Sequence, residues 1–87
     1  MLLRDVLNKI LWDEREKQDD YEVLYIHRGA KKDRRCINCS KIIRVTSSYF
    51  TFQNNLEVII PLHRVLEVKK IKDGRTVWRK SLGKTTI

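Results

Sequence analysis

Two His-Arg pairs, His27-Arg28 and His63-Arg64, contain the only two histidines of this 87-residue chain. Each pair follows an apolar run with the composition of a β-strand. Arginine offers a planar fork of donors that fits phosphate oxygens, and histidine donates a hydrogen bond or a proton near neutral pH. The pairs form a compact anion site if the fold brings them together, and make only surface contacts if they lie on opposite sides.

A basic stretch at 28–35 begins with the arginine of the first pair. Gly29-Ala30 come next, where backbone amides can approach a ligand closely. Its cations are Arg28, Lys31, Lys32, Arg34 and Arg35, and only Asp33 opposes them. Two interpretations stay open: a loop that grips phosphate, and an ordinary solvated turn.

The aromatic residues offer a second route to nucleic-acid binding. Exposed rings on a sheet stack bases in RNA-binding modules, although such rings more often fill a core. Tyr25 is the candidate for stacking because it lies two positions before His27. On a strand, residues at this spacing point to the same face.

Two further patterns bear on chemistry. Cys36 and Cys39 have the spacing of zinc knuckles and redox sites, but neither a second ligand pair at short spacing nor a βαβ context accompanies them. We therefore expect no metal and no other cofactor, with Cys36 a small buried residue and Cys39 on a turn. His27 and His63 could instead act as acid and base in an RNA-end phosphoesterase.

Charge favours an anionic partner. Nineteen Lys and Arg against eleven Asp and Glu give a net charge of +8, which attracts polyanions, most commonly nucleic acid. The same composition also fits a basic face that meets acidic proteins, a surface kept soluble, or ion-pair networks at high growth temperature. No signal peptide or membrane-length apolar run is recognisable, so we expect a soluble, cytoplasmic protein without membrane contact.

The elements that must position these residues are one helix and about six strands. Leu3, Val6, Leu7, Ile10 and Leu11 recur at helical spacing, and Trp12 is expected to close their apolar face. The predicted strands are 21–27, 42–45, 49–52, 56–60, 65–71 and 76–79, with a hairpin turn at Asp73-Gly74. This order predicts an α+β fold in which the helix packs on a curled, mostly antiparallel five- to six-stranded sheet, a partial barrel. We expect one domain at 1–80 and a flexible tail at 81–87.

Four segments in this order carry a family resemblance. They are RDVLNKILWD at 4–13, YEVLYIHRGA at 21–30, PLHRVL at 61–66 and DGRTVW at 73–78. Together they resemble the small archaeal protein family described as the RNA cyclic-group-end recognition domain. The chain departs from the family pattern at Lys31, where proline is common, and at Cys39, where glycine is usual; neither departure touches the His-Arg pairs.

The resemblance implies a stand-alone archaeal RNA-binding protein that recognises RNA ends carrying a 2′,3′-cyclic phosphate. It implies a site made of His27, Arg28, His63 and Arg64, with Arg34 as a weaker addition. We further expect Tyr25 to stack the terminal base, and Lys31, Lys32 and Arg35 to follow the RNA backbone.

Overall fold

The computed structural model describes residues 2–29 and 31–80, without the side chain of Lys31. The predicted flexible tail at 81–87 lies outside the described residues. Among the residues described, no helix is long and apolar enough to cross a membrane.

Helix α1 spans Leu3–Trp12, as the apolar spacing predicts. Asp5 in its first turn and Lys9 in its last turn complement the helix dipole. The helix buries Leu3, Val6, Leu7 and Ile10. Trp12 is 75% exposed, so the prediction that it closes the apolar face is wrong. The helix ends at Trp12, and the indole ring of Trp12 lies beside the acidic segment that follows.

Seven strands follow the helix. They are β1 Tyr21–Ile26, β2 Arg34–Asn38, β3 Ile42–Val45, β4 Tyr49–Asn54, β5 Leu56–Pro61, β6 Val65–Lys70 and β7 Thr76–Arg79. The six predicted strands are confirmed, and β2 is an additional strand within and beyond the basic stretch. The Asp73-Gly74 turn joins β6 to β7, with Gly74 at a φ of 71°. This backbone conformation favours glycine.

The strands form two separate antiparallel sheets, β2-β1-β6-β7 and β3-β4-β5. The α+β class is confirmed, but the single curled sheet and the partial barrel are wrong. Two short 3₁₀ turns explain the division. Cys39–Lys41 follows β2 and leads into the second sheet, where Asn38 caps the turn by accepting a hydrogen bond from the Ser40 amide. Leu62–Arg64 follows Pro61 and returns the chain to the first sheet.

One apolar core joins the helix and both sheets. Tyr25 of β1 packs against Phe50 and Phe52 of β4, with ring centroids 6.4 and 6.1 Å apart. Aromatic rings at such distances add packing energy beyond the area they bury. This contact fixes the end of β1, from which the first His-Arg pair extends.

Candidate nucleic-acid interface

The first His-Arg pair lies directly beyond the last residue of β1. A hydrogen bond from the His27 amide to the Asp33 carbonyl (2.9 Å) closes the loop that leads to β2. Gly29 has a φ of 92°, and its amide donates to the Asp33 carboxylate at 3.3 Å. The His27 ring is half-buried and meets the Tyr25 ring edge-to-face at 6.2 Å, while Arg28 is exposed. The expectation that Tyr25 and His27 share a face is confirmed.

The second pair forms most of the 3₁₀ turn Leu62–Arg64 that precedes β6. The Leu62 amide donates to the Ser48 carbonyl (2.9 Å), which ties this turn to the start of β4. The Lys80 ammonium donates to the His63 carbonyl at 2.6 Å. Both His63 and Arg64 are exposed. The turn is therefore held by backbone contacts that leave the two side chains available to a ligand.

The strand register places both pairs at the same end of the four-stranded sheet. Strands β1 and β6 are antiparallel neighbours, and Tyr25 pairs with Val65. His27 lies two residues after Tyr25, and His63 lies two residues before Val65. Residues paired across antiparallel strands have Cα atoms about 5 Å apart. Both pairs thus leave one junction of two hydrogen-bonded strands, although they are far apart in sequence.

The exposed arginines near this junction have no acidic partners within the part of the chain that the structure describes. Among residues 2–29 and 31–80, no carboxylate lies within 4.0 Å of the guanidinium of Arg28, Arg34, Arg35 or Arg64. By contrast, Arg79 on β7 pairs with Glu67 at 2.9 Å. Unpaired guanidinium groups that remain hydrated can exchange water for the oxygens of an anionic ligand at little cost.

The basic stretch is divided between a loop and a strand. Lys32 is exposed in the loop, whereas Arg34 and Arg35 begin β2, opposite Ile26 and Tyr25. Successive strand residues point to opposite faces, so these two arginines do not share a face. Arg35 lies on the face of Tyr25, and Arg34 lines a shallow groove with Arg79 on the other face. The interpretation of the whole stretch as one loop is therefore wrong, and the Lys31 side chain lies outside what is described.

Tyr25 is not available to stack a base. Its residue is 2% exposed, with its ring against His27, Phe50 and Phe52. The same burial raises the pKa of its hydroxyl. The position chosen for stacking is a core position because its face of β1 is the one that meets β4, and this corrects the expectation from sequence.

The expectation that Cys39 lies on a turn is confirmed, whereas the expectation that Cys36 is buried is wrong. Cys36 is exposed on β2, whereas Cys39 is buried in the turn that follows, and both thiols are free. Burial raises the pKa of Cys36, and that of Cys39 to about 12, so both thiols are protonated at neutral pH. Within the described part of the chain, no group of three or more His, Cys, Asp or Glu side chains is placed to hold a metal.

An apolar groove of about 360 Å³ adjoins the second pair, and sequence reasoning missed it. Its lining includes Trp78, Val65, Leu62, His63 and Lys80. His27 does not line this groove. Strand direction could have indicated Lys80, because β7 runs antiparallel to β6 and ends where β6 begins. The groove itself depends on how α1 packs, which no local pattern reveals.

Comparison with known proteins places the chain in a family. Residues 1–80 match the family model described as the MJ1316 RNA cyclic group end recognition domain. No solved structure is significantly similar to the chain.

Archaeal relatives align along nearly their whole length. A UPF0248 protein of Methanococcus vannielii is 34% identical over 91% of this chain and 92% of its own. UPF0248 protein MJ1316 of Methanocaldococcus jannaschii is 33% identical over 91% and 94%. UPF0248 protein M1425_2629 of Saccharolobus islandicus is 36% identical over 92% of this chain and all of its own.

Proposed function

This chain belongs to the family described as the MJ1316 RNA cyclic group end recognition domain, and we propose on that basis that it binds RNA ends, with a 2′,3′-cyclic phosphate as the preferred end. The observation that carries the proposal is the shared position of the two His-Arg pairs at the junction of β1 and β6. A site built from both strands can surround one terminal group.

The chemistry of the end group suggests a division of roles. A cyclic phosphate presents two free oxygens with one negative charge and no hydroxyl donor. Arg28 and Arg64 pair with these oxygens through charge-assisted hydrogen bonds, which are the strong ones. His27 and His63 donate to the remaining acceptors of the phosphate and the ribose. Because His27 is half-buried against Tyr25, its ring is positioned before the ligand arrives.

The other cations serve affinity more than end recognition. Lys32 and Arg35 are exposed and lie close in sequence to the first pair. They follow the phosphates that precede the terminal nucleotide. Such contacts raise affinity for any RNA but carry no information about the end, because every internal phosphate is alike.

A double substitution tests the proposal. We expect the wild-type protein to bind an RNA ending in a 2′,3′-cyclic phosphate more tightly than the same RNA ending in a 3′-hydroxyl or a 3′-phosphate. His27→Ala with Arg64→Ala should abolish this preference while retaining part of the affinity for all three RNAs. Arg44→Ala is the control for lost charge, since Arg44 is exposed on the other sheet. An equal loss for all three ends in the double variant would mean that the two pairs make only generic contacts with RNA.

The alternative is an enzyme, and the placement of both imidazoles at one end of the sheet favours it. Incubating the protein with the cyclic-phosphate RNA tests this alternative. Opening of the cyclic phosphate by water needs one group to take a proton and another to protonate the leaving oxygen. His27 and His63 would supply these roles in a phosphoesterase. Product formation with a bell-shaped pH–rate profile would support catalysis, and an unchanged cyclic end at high protein concentration supports binding alone.

A further inference from the structure

We propose that the groove beside His63 is a pocket for the nucleobase of the terminal nucleotide. This inference deepens the proposed function, on which it rests, by assigning a place to the base as well as to the phosphate. The groove of about 360 Å³ is near the lower limit of ligand pockets, which suits a single nucleoside unit better than a peptide or a larger molecule.

The lining has the character of a base pocket. Trp78 and four aliphatic residues supply an apolar surface, and a half-buried indole is a strong stacking partner for any base. The aliphatic residues are Leu2, Leu3, Leu62 and Val65. Trp78 is paired with Val68 in the sheet, so its backbone is held in place without a ligand.

The charges around the groove identify its occupant as part of an anion. Three of its lining residues, Arg4, His63 and Lys80, are basic, and no described lining residue is acidic. Arg4 has only a weak, exposed contact with Asp5 at 3.8 Å. The Lys80 ammonium donates to the His63 carbonyl, which joins this side of the groove to the turn that carries Arg64. A ligand with an apolar aromatic part and an adjacent phosphate matches both the apolar and the basic lining residues.

The position of the groove also fits an RNA end. His63 belongs both to the groove and to the second His-Arg pair, so one residue can contact base or ribose while its neighbour Arg64 contacts phosphate. This arrangement replaces Tyr25 by Trp78 as the stacking residue. Stacking of the base in the groove therefore does not need Tyr25, which is buried.

The test compares RNAs whose terminal nucleotide either carries a base or is abasic, each prepared with a 2′,3′-cyclic phosphate and with a 3′-hydroxyl. We expect the terminal base to tighten binding about tenfold with either end, as one stacked base does. Trp78→Ala should remove this difference and leave affinity for the abasic RNAs unchanged. Trp12→Ala, which removes the exposed tryptophan near the acidic segment, should leave all four affinities unchanged.

A second variant guards against misfolding, since Trp78 also packs on the core. Ser47→Phe fills the groove from an exposed position without altering charge, and should likewise abolish the effect of the base.

Equal binding of base-bearing and abasic RNAs by the wild-type protein would overturn the pocket. The pocket would also be overturned if the fluorescence of Trp78 changed with protein concentration, or on deletion of 81–87, but not on addition of RNA. In that case a second copy of the chain, or the deleted segment, would fill the groove. Failure of the proposed function is distinct, because it would abolish only the difference between cyclic and hydroxyl ends.

Discussion

At the scale of single residues, the recognition chemistry depends on guanidinium groups that no carboxylate neutralises within the described chain. Arg28 and Arg64 are exposed at the β1–β6 junction, and neither has an ion-pair partner among the residues described. Arg79, directly before Lys80, is by contrast paired with Glu67. The proposal therefore assigns ligand contacts to the first two and a structural contact to the third.

Replacing Arg64 by alanine should weaken binding of a cyclic-phosphate RNA about tenfold or more. The reason is that a charge-assisted hydrogen bond contributes about 1.5–3 kcal/mol. Fluorescence anisotropy of a labelled RNA measures the change. Arg44→Ala removes the same charge from the other sheet and should have a much smaller effect. Equal effects of the two substitutions would mean that only net charge matters.

Thr51 offers a prediction on stability. Its residue is 2% exposed, and among the described residues its Oγ1 is a buried side-chain oxygen without a hydrogen-bond partner. Thr51→Val keeps the branched shape suited to β4 and removes an unpaired hydroxyl, which costs about 1–3 kcal/mol when buried. We expect the variant to raise the free energy of unfolding by about 1 kcal/mol in urea denaturation. A destabilised variant would show that this hydroxyl has a partner in solution.

At the scale of elements, the Glu67 carboxylate on β6 accepts hydrogen bonds from β7. These bonds join the two strands that carry part of the groove and follow the second pair. Glu67 is 8% exposed and accepts hydrogen bonds from the Thr76 hydroxyl (2.8 Å) and from Nε and Nη2 of Arg79 (3.2 and 2.9 Å). The Arg79 hydrogen bonds lower the pKa of Glu67 below its ordinary value of 4.5, outweighing the desolvation that would raise it.

Glu67→Gln should lower the free energy of unfolding by about 1 kcal/mol at pH 7, because the hydrogen bonds from Arg79 would then go to a neutral amide and not to a carboxylate. Since the folded-state pKa is the lower one, the charged form stabilises the fold above the unfolded-state pKa. This contribution is lost as pH falls through the folded-state pKa. The difference between wild type and variant, measured by urea unfolding, should therefore shrink below about pH 4. A difference that is the same at pH 7 and pH 3 would contradict this role.

Local patterns predicted the helix and six of the seven described strands, but not how these elements assemble. The helix follows from the spacing of Leu3, Val6, Leu7 and Ile10, and six strands follow from branched and aromatic runs. Strand β2 was missed because its first residues, Arg34 and Arg35, have the charge of a loop. These residues are strand because they pair with Ile26 and Tyr25 across a hairpin, which is a tertiary contact.

The division into two sheets and the placement of the site residues depend on longer-range contacts. The 3₁₀ turns at Cys39–Lys41 and Leu62–Arg64 lack a strong sequence signal, and they decide which strands pair. Tyr25 was a reasonable stacking candidate on composition, but the approach of Phe50 and Phe52 buries it. Trp78 could not be selected over Trp12 until α1 and β7 were placed.

At the scale of the whole molecule, the two ends of the four-stranded sheet differ in charge. The end at which β1 begins carries both signs, with Asp13, Glu14, Glu16, Asp19, Asp20 and Glu22 close to Arg15, Lys17, Lys69 and Lys70. The Asp20 carbonyl accepts from the Ile71 amide, which places the β6–β7 turn and Asp73 at that same end. The His-Arg pairs leave the other end. This asymmetry orients a polyanion toward the pairs before contact is made.

Salt dependence tests this orientation. If about four phosphates of a single-stranded RNA are contacted, the logarithm of the association constant should fall with the logarithm of salt concentration with a slope of roughly −3. Arg28→Ala should make the slope shallower by about 0.7, because one fewer counterion is released. Arg15→Ala, in the segment before β1 and paired with Asp13, should leave the slope unchanged. Equal changes for both variants would mean that RNA binds without a preferred end of the molecule.

The most direct test of the account follows the two histidine rings by NMR during titration with RNA, which is practical because the chain has only two. We expect the His27 and His63 ring signals to shift together, with one dissociation constant, when the RNA ends in a 2′,3′-cyclic phosphate. Both signals should shift much less with the same RNA ending in a 3′-hydroxyl. Shifts of only one ring, or equal shifts with both RNAs, would contradict a single site formed by the two pairs.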